Sequence, residues 1–391
     1  MSLIELNESE LQAVLDALNN QINGVRDDVD NQAATIAAYA QLLATHSDAI
    51  NALNARVTAL ESEPTPLPRE QLLAWLSSLS GHVVSGQHVS HSLSIFLERY
   101  ETHITALVAQ TGYYVGMLGV SLVGLTASTA AYTAPIMIDY ANRGGLVQVD
   151  YHMPSPFTGG SYNDLTNRNL VELLNPTTDY YRAANARYMD MLDQVADLFA
   201  TMRDAGVVVL WRPFHEMNYS GAFWWDWGCH DGNVVPYGQL WRHMHDYFTR
   251  VRHLDNLLWV YAPANLDSTR AVEWMFPGSD VVDIVGLSLY SYGHYPVAVA
   301  RPDLGDGQNN YTRMLEFGKP FALTECGPRV WTTPYDNVDL IAAIKENFPQ
   351  AVYFMRWHSW YGNPVAIVDN SNAAGLLGDS WVINRPAFYV S

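Results

Sequence analysis

Lysine is nearly absent from this chain of 391 residues, in which Lys319 and Lys345 are the only two. Basic residues number 21 in all, against 40 acidic residues, so the formal net charge is −19. A field of this sign repels the phosphate backbone of nucleic acids and the headgroups of anionic lipids. We therefore exclude nucleic acid as a partner, whereas a neutral polysaccharide is indifferent to the charge.

Cysteines and long apolar runs are also scarce. Cys229 and Cys326 are the only cysteines, too few for a disulfide framework and at no zinc-ligand spacing. Cys326 lies in an apolar run, so we expect it to be a reduced, buried thiol. No apolar run is long enough to cross a bilayer, and the opening residues MSLIELNESE lack a secretory signal. These features predict a protein made in the cytoplasm, without a signal peptide and without membrane insertion.

Residues 11 to 60 carry a sustained heptad pattern. Its spacing alternates between four and three residues, and a period of 3.5 over this length is typical of a coiled coil. One set of positions is Leu15, Ile22, Val29, Ile36, Leu43, Ile50 and Val57, and the alternate set is Leu11, Leu18, Val25, Gln32, Tyr39, His46, Leu53 and Leu60.

The heptad positions predict self-association, because a single helix would leave this seam in water. Branched residues in the first set with leucine in the second favour two strands. Gln32, Tyr39 and His46 interrupt the second set, and the flanking positions carry little charge, which favours a broader interface. We predict a homotrimer, with a dimer as the alternative, and interpret His46 as a polar layer that fixes the register.

Three prolines in ESEPTPLP, residues 61–68, predict a short stiff linker. We therefore divide the chain into a coiled-coil stalk (1–63), a proline-containing linker and lead-in (64–80) and a third region (81–391).

In this third region, eight apolar runs alternate with amphipathic segments. This alternation predicts an α/β fold, a (β/α)8 TIM barrel preceded by the helical coiled coil. A doubly wound open sheet is the alternative, although no glycine-rich phosphate loop follows any run. The predicted strands are Val83–Gln87, Tyr113–Leu122, Leu146–Met153, Val207–Phe214, Leu257–Ala264, Val281–Tyr290, Pro320–Thr324 and Ala351–Trp357.

Two glutamates end the fourth and the seventh of these runs. Glu216 lies in WRPFHEMN (211–218) and Glu325 in LTECG (323–327). In a barrel the strand ends open at one face, where these two carboxylates would meet. A glycosidase needs such a pair, one protonated to donate to the leaving oxygen and one ionised to attack the sugar carbon. The alternative is that each glutamate caps the next segment or pairs with an arginine.

These motifs resemble glycoside hydrolase family 26, best known for β-mannanases, over roughly residues 80 to 390. The resemblance also includes SGQH (85–88), GGLVQVDYHMPSP (144–156), GGSYNDLT (159–166) and the FWW run at 223–225. It implies a retaining double displacement, with Glu216 as general acid/base and Glu325 as nucleophile. The carboxyl groups of a retaining enzyme lie about 5–5.5 Å apart.

The resemblance implies three supporting residues around the nucleophile. His215 would hydrogen-bond near the nucleophile or the sugar. Arg212 would keep Glu325 ionised, or serve as a structural ion pair inside the barrel. Tyr290 would donate a hydrogen bond to Glu325.

The resemblance also implies residues that bind the substrate. His152 and Trp357 match positions lining the sugar site next to the scissile bond, with Trp357 as its stacking floor. The full predicted set is His152, Trp357, Trp224, Trp225, His88 and His358.

Departures from the family pattern leave the sugar open. Ala222 stands where the family usually has tryptophan, Ser288 where an acid or another polar residue is frequent, and His358 where some mannanases carry arginine. We therefore expect mannan or glucomannan as the substrate, with mixed-linkage β-glucan and β-1,3-xylan as alternatives.

No cofactor is implied, and we assign no catalytic metal. His243 and His245 would face different sides of a helix, and the cluster of His82, His88 and His91 has no carboxylate nearby in sequence. A stalked glycosidase without a signal peptide suggests a phage fibre, bound to other virion proteins, that degrades a host surface glycan. The alternative is a structural or receptor-binding fibre whose barrel binds glycan without cutting it.

Overall fold

The computed structural model describes residues 8–61, 69–230, 233–265, 270–291, 309–328, 335–360 and 362–386. The chain divides into two compact units, Met1–Glu63 and Pro64–Ser391. The first seven residues of the N-terminal segment, and residues 62–68 of the proline linker predicted at 61–68, lie outside the described residues. In the described part of the chain, no helix combines the length and apolar character needed to span a bilayer.

The first unit contains one long helix, α1 (Glu8–Glu61), of 54 residues. A helix over the heptad region is therefore confirmed. Apolar side chains at heptad positions from Leu11 to Leu53 are exposed along it, and Ile36 reaches 68% exposure. A helix alone does not test association, so the coiled coil stays a prediction.

The second unit is a closed barrel of eight parallel strands. The strands are β1 (Val83–His88), β2 (Met117–Ser121), β3 (Leu146–Asp150), β4 (Val209–Arg212), β5 (Leu257–Tyr261), β6 (Ile284–Ser291), β7 (Phe321–Pro328) and β8 (Ala351–Arg356). Each strand pairs with the next, and β1 pairs with both β2 and β8. The TIM barrel is thus confirmed, and the open-sheet alternative is wrong because no strand of the eight is left at an edge.

All eight strands form within or overlapping the predicted runs, but their limits differ where the loops begin. Strand β3 ends at Asp150 rather than Met153, and β4 at Arg212 rather than Phe214. Strand β7 continues to Pro328. A short ninth strand, β9 (Val382–Ile383), pairs with β1 and was not predicted.

Helices cover the outside of the barrel. They are α2 (Arg69–Ser78), α3 (Phe96–Tyr100), α4 (Ala106–Thr111), α5 (Ala127–Asn142), α6 (Leu170–Leu174), α7 (Asp179–Asp204), α8 (Val235–Asp246), α9 (Asn310–Leu315), α10 (Asn337–Asn347) and α11 (Ala373–Leu377). Side-chain caps begin the two longest of them, α5 and α7, because the first backbone N–H groups of a helix have no partner within it. Thr126 accepts from Thr129 N at the start of α5, and Thr178 accepts from Tyr181 N at the start of α7.

Helix α2 packs against the amino-terminal ends of the strands. Leu72 and Leu76 are buried in one apolar cluster with residues that begin the strands, such as Met117 and Ile284. Arg69 fastens the helix by donating to Leu257 O over 2.6 Å and to the Asp283 carboxylate over 2.7 Å. Residues 69–78, assigned from the sequence to a linker and lead-in, are therefore part of the folded barrel unit.

The Leu76→Ala variant tests this packing. Leu76 is fully buried, so we expect the free energy of unfolding to fall by about 2–5 kcal/mol, the usual cost of such a truncation in a core. Urea denaturation of the purified protein measures the change. Gln71→Ala, on the exposed side of α2, should stay within about 0.5 kcal/mol of wild type. Equal stabilities for the two variants would contradict the assignment of α2 to the core.

Candidate active site

One cleft at the carboxyl ends of the barrel strands contains both glutamates predicted from the sequence. Its volume is about 390 Å³, and Glu216 and Glu325 both line it. Parallel strands of a barrel end together at this face, so side chains remote in sequence meet there. Rings form most of the remaining wall: His91, His152, Tyr162, Tyr219, Tyr290, Trp357, His358 and Trp360.

The carboxylate of Glu325 is held from two sides. Glu325 lies inside β7 and is 6% exposed. Arg212 Nη2 donates to Oε2 over 2.7 Å, and the Tyr290 hydroxyl donates to Oε1 over 2.5 Å. Each carboxylate oxygen therefore has its own donor, and charge-assisted bonds such as that from Arg212 are short and strong. Arg212 and Tyr290 lie where the sequence placed them, while their catalytic roles stay predictions.

Asp150 supplies a second negative charge beside Arg212, and the sequence analysis did not identify it. Its Oδ2 lies 3.6 Å from Arg212 Nη2, and both side chains are fully buried. Burial lowers the pKa of Arg212, but the charges of Glu325 and Asp150 outweigh it and raise that pKa. Burial also opposes ionisation of Asp150, yet His88, His152 and Arg212 hold its pKa well below the usual range. The signal in the sequence was the single acid that ends the apolar run LVQVD.

Glu216 lies in the loop after β4, where the backbone is strained. Phe214 has a φ of 45° and Glu216 a φ of 55°, in the left-handed region that residues with a side chain rarely adopt. Glu216 N donates to Ala262 O over 2.8 Å. Asn218 fixes the same loop to the end of β5, exchanging hydrogen bonds with the backbone of Ala264 at 2.8 Å each. Such strain clusters at functional sites, where the surrounding structure maintains it.

The charge of Glu216 reaches the groups that hold Glu325. It contributes to the raised pKa of Arg212 and to that of Tyr290, which burial and Glu325 raise well above its usual value. Glu216 and Glu325 therefore both raise the pKa of Arg212 and that of Tyr290. The carboxyl separation of about 5–5.5 Å expected for a retaining enzyme stays a prediction.

His215 and His152 form a contact at the side of the cleft. Their Nε2 atoms lie 3.1 Å apart, so one ring donates and the other accepts. His215 is fully buried, and this burial, with the nearby charge of Arg212, holds its pKa well below the usual value. His215 is therefore a neutral ring behind the cleft wall, while His152 lines the cleft itself.

Three of the six predicted substrate-binding residues are too buried to touch a sugar. Trp224 and Trp225 have no exposed surface, and their indole N–H groups donate to Met153 O and His215 O over 2.8 and 2.9 Å. His88 is fully buried and stacks on Trp357 with ring centroids 3.9 Å apart. The prediction that Trp224, Trp225 and His88 contact substrate is therefore wrong, since each packs behind the wall and supports it.

The remaining three predicted residues, His152, Trp357 and His358, line the cleft. Residues that sequence analysis did not assign to the site include Tyr162, Tyr219 and Trp360. Tyr162 lies in the family-like GGSYNDLT run, which was the signal that could have identified it. Tyr219 and Trp360 follow Glu216 and Trp357 by three positions each (219 − 216 and 360 − 357), so proximity to a predicted residue was their only signal.

Asp150, His152 and His215 place one potential metal-ligand atom each within 4.8 Å of one another, the one such group among the described residues. Arg212 already offsets the charge of Asp150, and the close contact of His152 with His215 occupies their facing nitrogens. We therefore keep the prediction that catalysis uses no metal. The thiol of Cys326, beside Glu325, is free and buried as expected, and burial raises its pKa to about 12.

The model of glycosyl hydrolase family 26 matches residues 62–387 of this chain. This chain belongs to glycosyl hydrolase family 26. The resemblance identified from the sequence motifs is thus confirmed over the whole barrel.

The curated proteins to which this chain is similar include several whose names state the same activity. The mannan endo-1,4-beta-mannosidase A and B of Caldalkalibacillus mannanilyticus is 36% identical over 259 residues, covering 64% of this chain and 46% of that protein. The mannan endo-1,4-beta-mannosidase of Bacillus subtilis is 33% identical over 258 residues, covering 64% of each. This chain thus spans less than two thirds of the length of either relative. The solved structure of the Bacillus subtilis mannanase BCman is 27% identical with a TM-score of 0.69, over 83% of this chain and 94% of that one.

Buried neutral histidines predict how stability depends on pH. The pKa of His215 and that of His358 are both lowered by burial, so the unfolded chain binds protons below pH 6.5 that the folded chain does not. Their contribution is therefore complete above pH 6.5 and lost as pH falls, by about 1.4 kcal/mol per pH unit and per histidine. His215→Gln should reduce the slope between pH 7 and pH 5 by about this amount, measured by urea denaturation.

Leu76→Ala is the matched control, because it lowers stability without removing a titrating group. It should keep the wild-type slope. If His215→Gln also keeps that slope, His215 is not held neutral by the fold.

Proposed function

We propose that this chain is a retaining endo-acting glycoside hydrolase that cleaves internal β-1,4 linkages of mannan or glucomannan. The observation that carries the proposal is the single cleft lined by Glu216 and Glu325, with both oxygens of Glu325 held by Arg212 and Tyr290. Family membership supports the reaction class, and the names of the curated relatives support mannan as the polymer.

The two glutamates divide the reaction into two displacements. In the first, Glu216 gives its proton to the glycosidic oxygen while Glu325 attacks the anomeric carbon, so the bond to the leaving sugar breaks and a glycosyl ester forms. In the second, the Glu216 carboxylate takes a proton from water, the water oxygen attacks the same carbon, and the ester bond breaks. Two inversions retain the configuration of the sugar.

The wall of the cleft supports a neutral sugar chain as the ligand. Trp357 lines the cleft, is 7% exposed and stacks on the buried ring of His88. Tyr162, Tyr219 and Trp360 add further rings, and aromatic rings combine a large apolar face with few torsions to order on binding. Pyranose rings carry C–H groups on their faces, which pack against such surfaces.

Replacement of each glutamate tests the assignment of roles. Glu325→Ala should lower kcat on mannan by about 10⁴-fold or more, as removal of a nucleophile does in other enzymes. Added azide should restore turnover and give a glycosyl azide of inverted configuration. In Glu216→Ala, azide should instead give an azide of retained configuration, because the glycosyl ester still forms. Reducing-sugar release and NMR of the azide products measure these outcomes, and Glu98→Ala, on an exposed helix, is the control.

A panel of substrates separates this proposal from a barrel that only binds glycan. Glucomannan, galactomannan, mixed-linkage β-glucan and β-1,3-xylan are each incubated with wild type. Sugar release from the mannans alone would support the proposed specificity, and release from another polymer would change the assigned substrate to that polymer. Binding without release from any of the four would favour the non-catalytic fibre.

We also propose that α1 forms a homotrimeric coiled coil. Its support is the exposed heptad seam on a helix of 54 residues, whose apolar area would otherwise stay in water. Ile36→Glu, in the seam, should shift the mass of the full chain from trimer to monomer in light scattering after size exclusion. Ala34→Glu, which lies opposite the seam in the heptad register, should leave the mass unchanged. A monomeric wild type would overturn this proposal, and a dimer would correct its order.

The coiled coil and the glycosidase barrel together suggest a phage fibre that degrades a host glycan. This suggestion depends on the trimer and on the sequence analysis alone. If the protein is such a fibre, mass spectrometry of purified phage particles should find it among the virion components. There it would be bound to other virion proteins. Its recovery only as free protein would count against a virion role.

A further inference from the structure

Three side chains lead from the centre of the barrel to the wall of the cleft. Asp150 Oδ2 lies 2.8 Å from His88 Nε2, and His88 Nδ1 lies 3.2 Å from His358 Nδ1. Asp150 and His88 are fully buried, whereas His358 lines the cleft. His88 is therefore in contact with a cleft residue on one side and with the partner of Arg212 on the other.

The chemistry of these groups limits where the protons lie. Asp150 is held ionised and can only accept, so His88 Nε2 carries a hydrogen. If His88 is neutral, its Nδ1 accepts from His358 Nδ1–H, and His358 Nε2 is left as an acceptor. If His88 is charged, its Nδ1–H donates to His358, and His358 Nε2 carries the hydrogen. In either state His358 is a single defined tautomer, because burial lowers its pKa and keeps it neutral.

His88 also has no freedom to move. Its ring stacks under Trp357 with an interplanar angle of 23°. Gly119 of β2 is paired with His88, and a Cβ added there would lie 2.8 Å from His88 Cδ2 and 2.9 Å from its Cα. The absence of a side chain at Gly119 thus leaves room for the His88 ring, which packs on Trp357 with each nitrogen next to one partner.

We propose that His88 is a positioning residue that separately orients the sugar-binding face of His358 and the Asp150 carboxylate that helps to hold Arg212. Through His358 it determines whether the cleft wall offers the sugar a hydrogen-bond donor or an acceptor. Through Asp150 it limits how far Arg212 is drawn away from Glu325. The first link acts on substrate binding and the second on turnover. This inference depends on the proposed glycosidase function.

Two substitutions of His88 each remove the contact made by one of its two ring nitrogens. Glutamine places its amide near the position of Nε2, and asparagine near that of Nδ1. His88→Gln therefore keeps a donor to Asp150 but loses the partner of His358. His88→Asn keeps a partner for His358 but leaves Asp150 free to compete with Glu325 for Arg212.

The values of KM and kcat on mannan show which of the two contacts acts on substrate binding and which acts on turnover. For His88→Gln we expect KM to rise about fivefold, the equivalent of one neutral hydrogen bond, with kcat within about threefold of wild type. For His88→Asn we expect kcat to fall by about tenfold or more while KM stays within about threefold, as when an interaction specific to the transition state is lost. Equal effects of both variants on both constants would overturn the proposal, since they would indicate general damage to the barrel.

Substitutions of His358 test the coupling. His358→Gln keeps an amide near Nε2 but loses the contact with His88, so it should raise KM about as much as His88→Gln does. His358→Asn, which removes the group at Nε2, should raise KM by about fivefold or more. The double variant His88→Gln/His358→Asn should be no worse than His358→Asn alone, because both remove one linked interaction. Additive effects would show that the residues act independently.

A spectroscopic measurement keeps the test independent of catalysis. In ¹⁵N-histidine NMR, the signals of His358, identified by their loss in His358→Asn, should show one tautomer in wild type and a mixture in His88→Gln. The same mixture in wild type would overturn the proposal even if the enzyme is active. If wild type cleaves none of the four polymers, the proposed function fails, while a single tautomer that His88→Gln abolishes would still establish the link between His88 and His358.

Discussion

The buried guanidinium of Arg212 is the interaction on which the rest of the site depends. It lies between Glu325 of β7 at 2.7 Å and Asp150 of β3 at 3.6 Å, and it is also 5.7 Å from the ring of Trp357. Two carboxylates cannot stay ionised together inside a barrel unless a cation compensates them. Three strands are joined through this one charge, so their carboxyl ends are fixed relative to one another.

Ion pairs of this kind are stable only as a complete set. Removing one partner leaves an uncompensated charge in a low-dielectric interior, which costs far more than the intact pair contributes. His88 adds a hydrogen bond to Asp150 and Tyr290 adds one to Glu325, while His152 Nδ1 lies 3.7 Å from Asp150 Oδ1. The arrangement therefore extends from Arg212 into the side chains that form the wall of the cleft.

Much of the fold could be predicted from the sequence, because strand and helix periods leave a local signal. The eight apolar runs specified the barrel, and the two glutamates were found by their place at strand ends, whereas Arg212 and Tyr290 followed from the resemblance to family 26. Local patterns could not show that β7 continues through Glu325, because that depends on pairing with its neighbours β6 and β8. Nor could they show which aromatic residues face the cleft. Trp224 and Trp225 resemble a sugar platform in sequence, yet the turn after Glu216 directs both into the core.

The interior of the barrel changes character along its axis. Towards the amino-terminal ends it is filled by apolar side chains, among them Val84, Leu210 and Leu258. Towards the carboxyl ends it holds Gln87, Gln148, Asp150, Arg212 and Arg356, all fully buried. Several of their polar atoms, such as both Nη of Arg356, have no hydrogen-bond partner among the described residues.

This division assigns different tasks to the two ends of a single core. Well-packed hydrophobic residues in place of a buried ionic layer are often neutral or stabilising in other proteins. Apolar residues in place of the polar layer at the carboxyl ends could therefore keep the barrel stable, but they would remove Arg212 and Asp150, which hold the charge of Glu325 in place. Substitutions intended to raise heat resistance should therefore be made at the amino-terminal ends of the strands and on the outer helices. Added packing there does not disturb the polar side chains at the carboxyl ends.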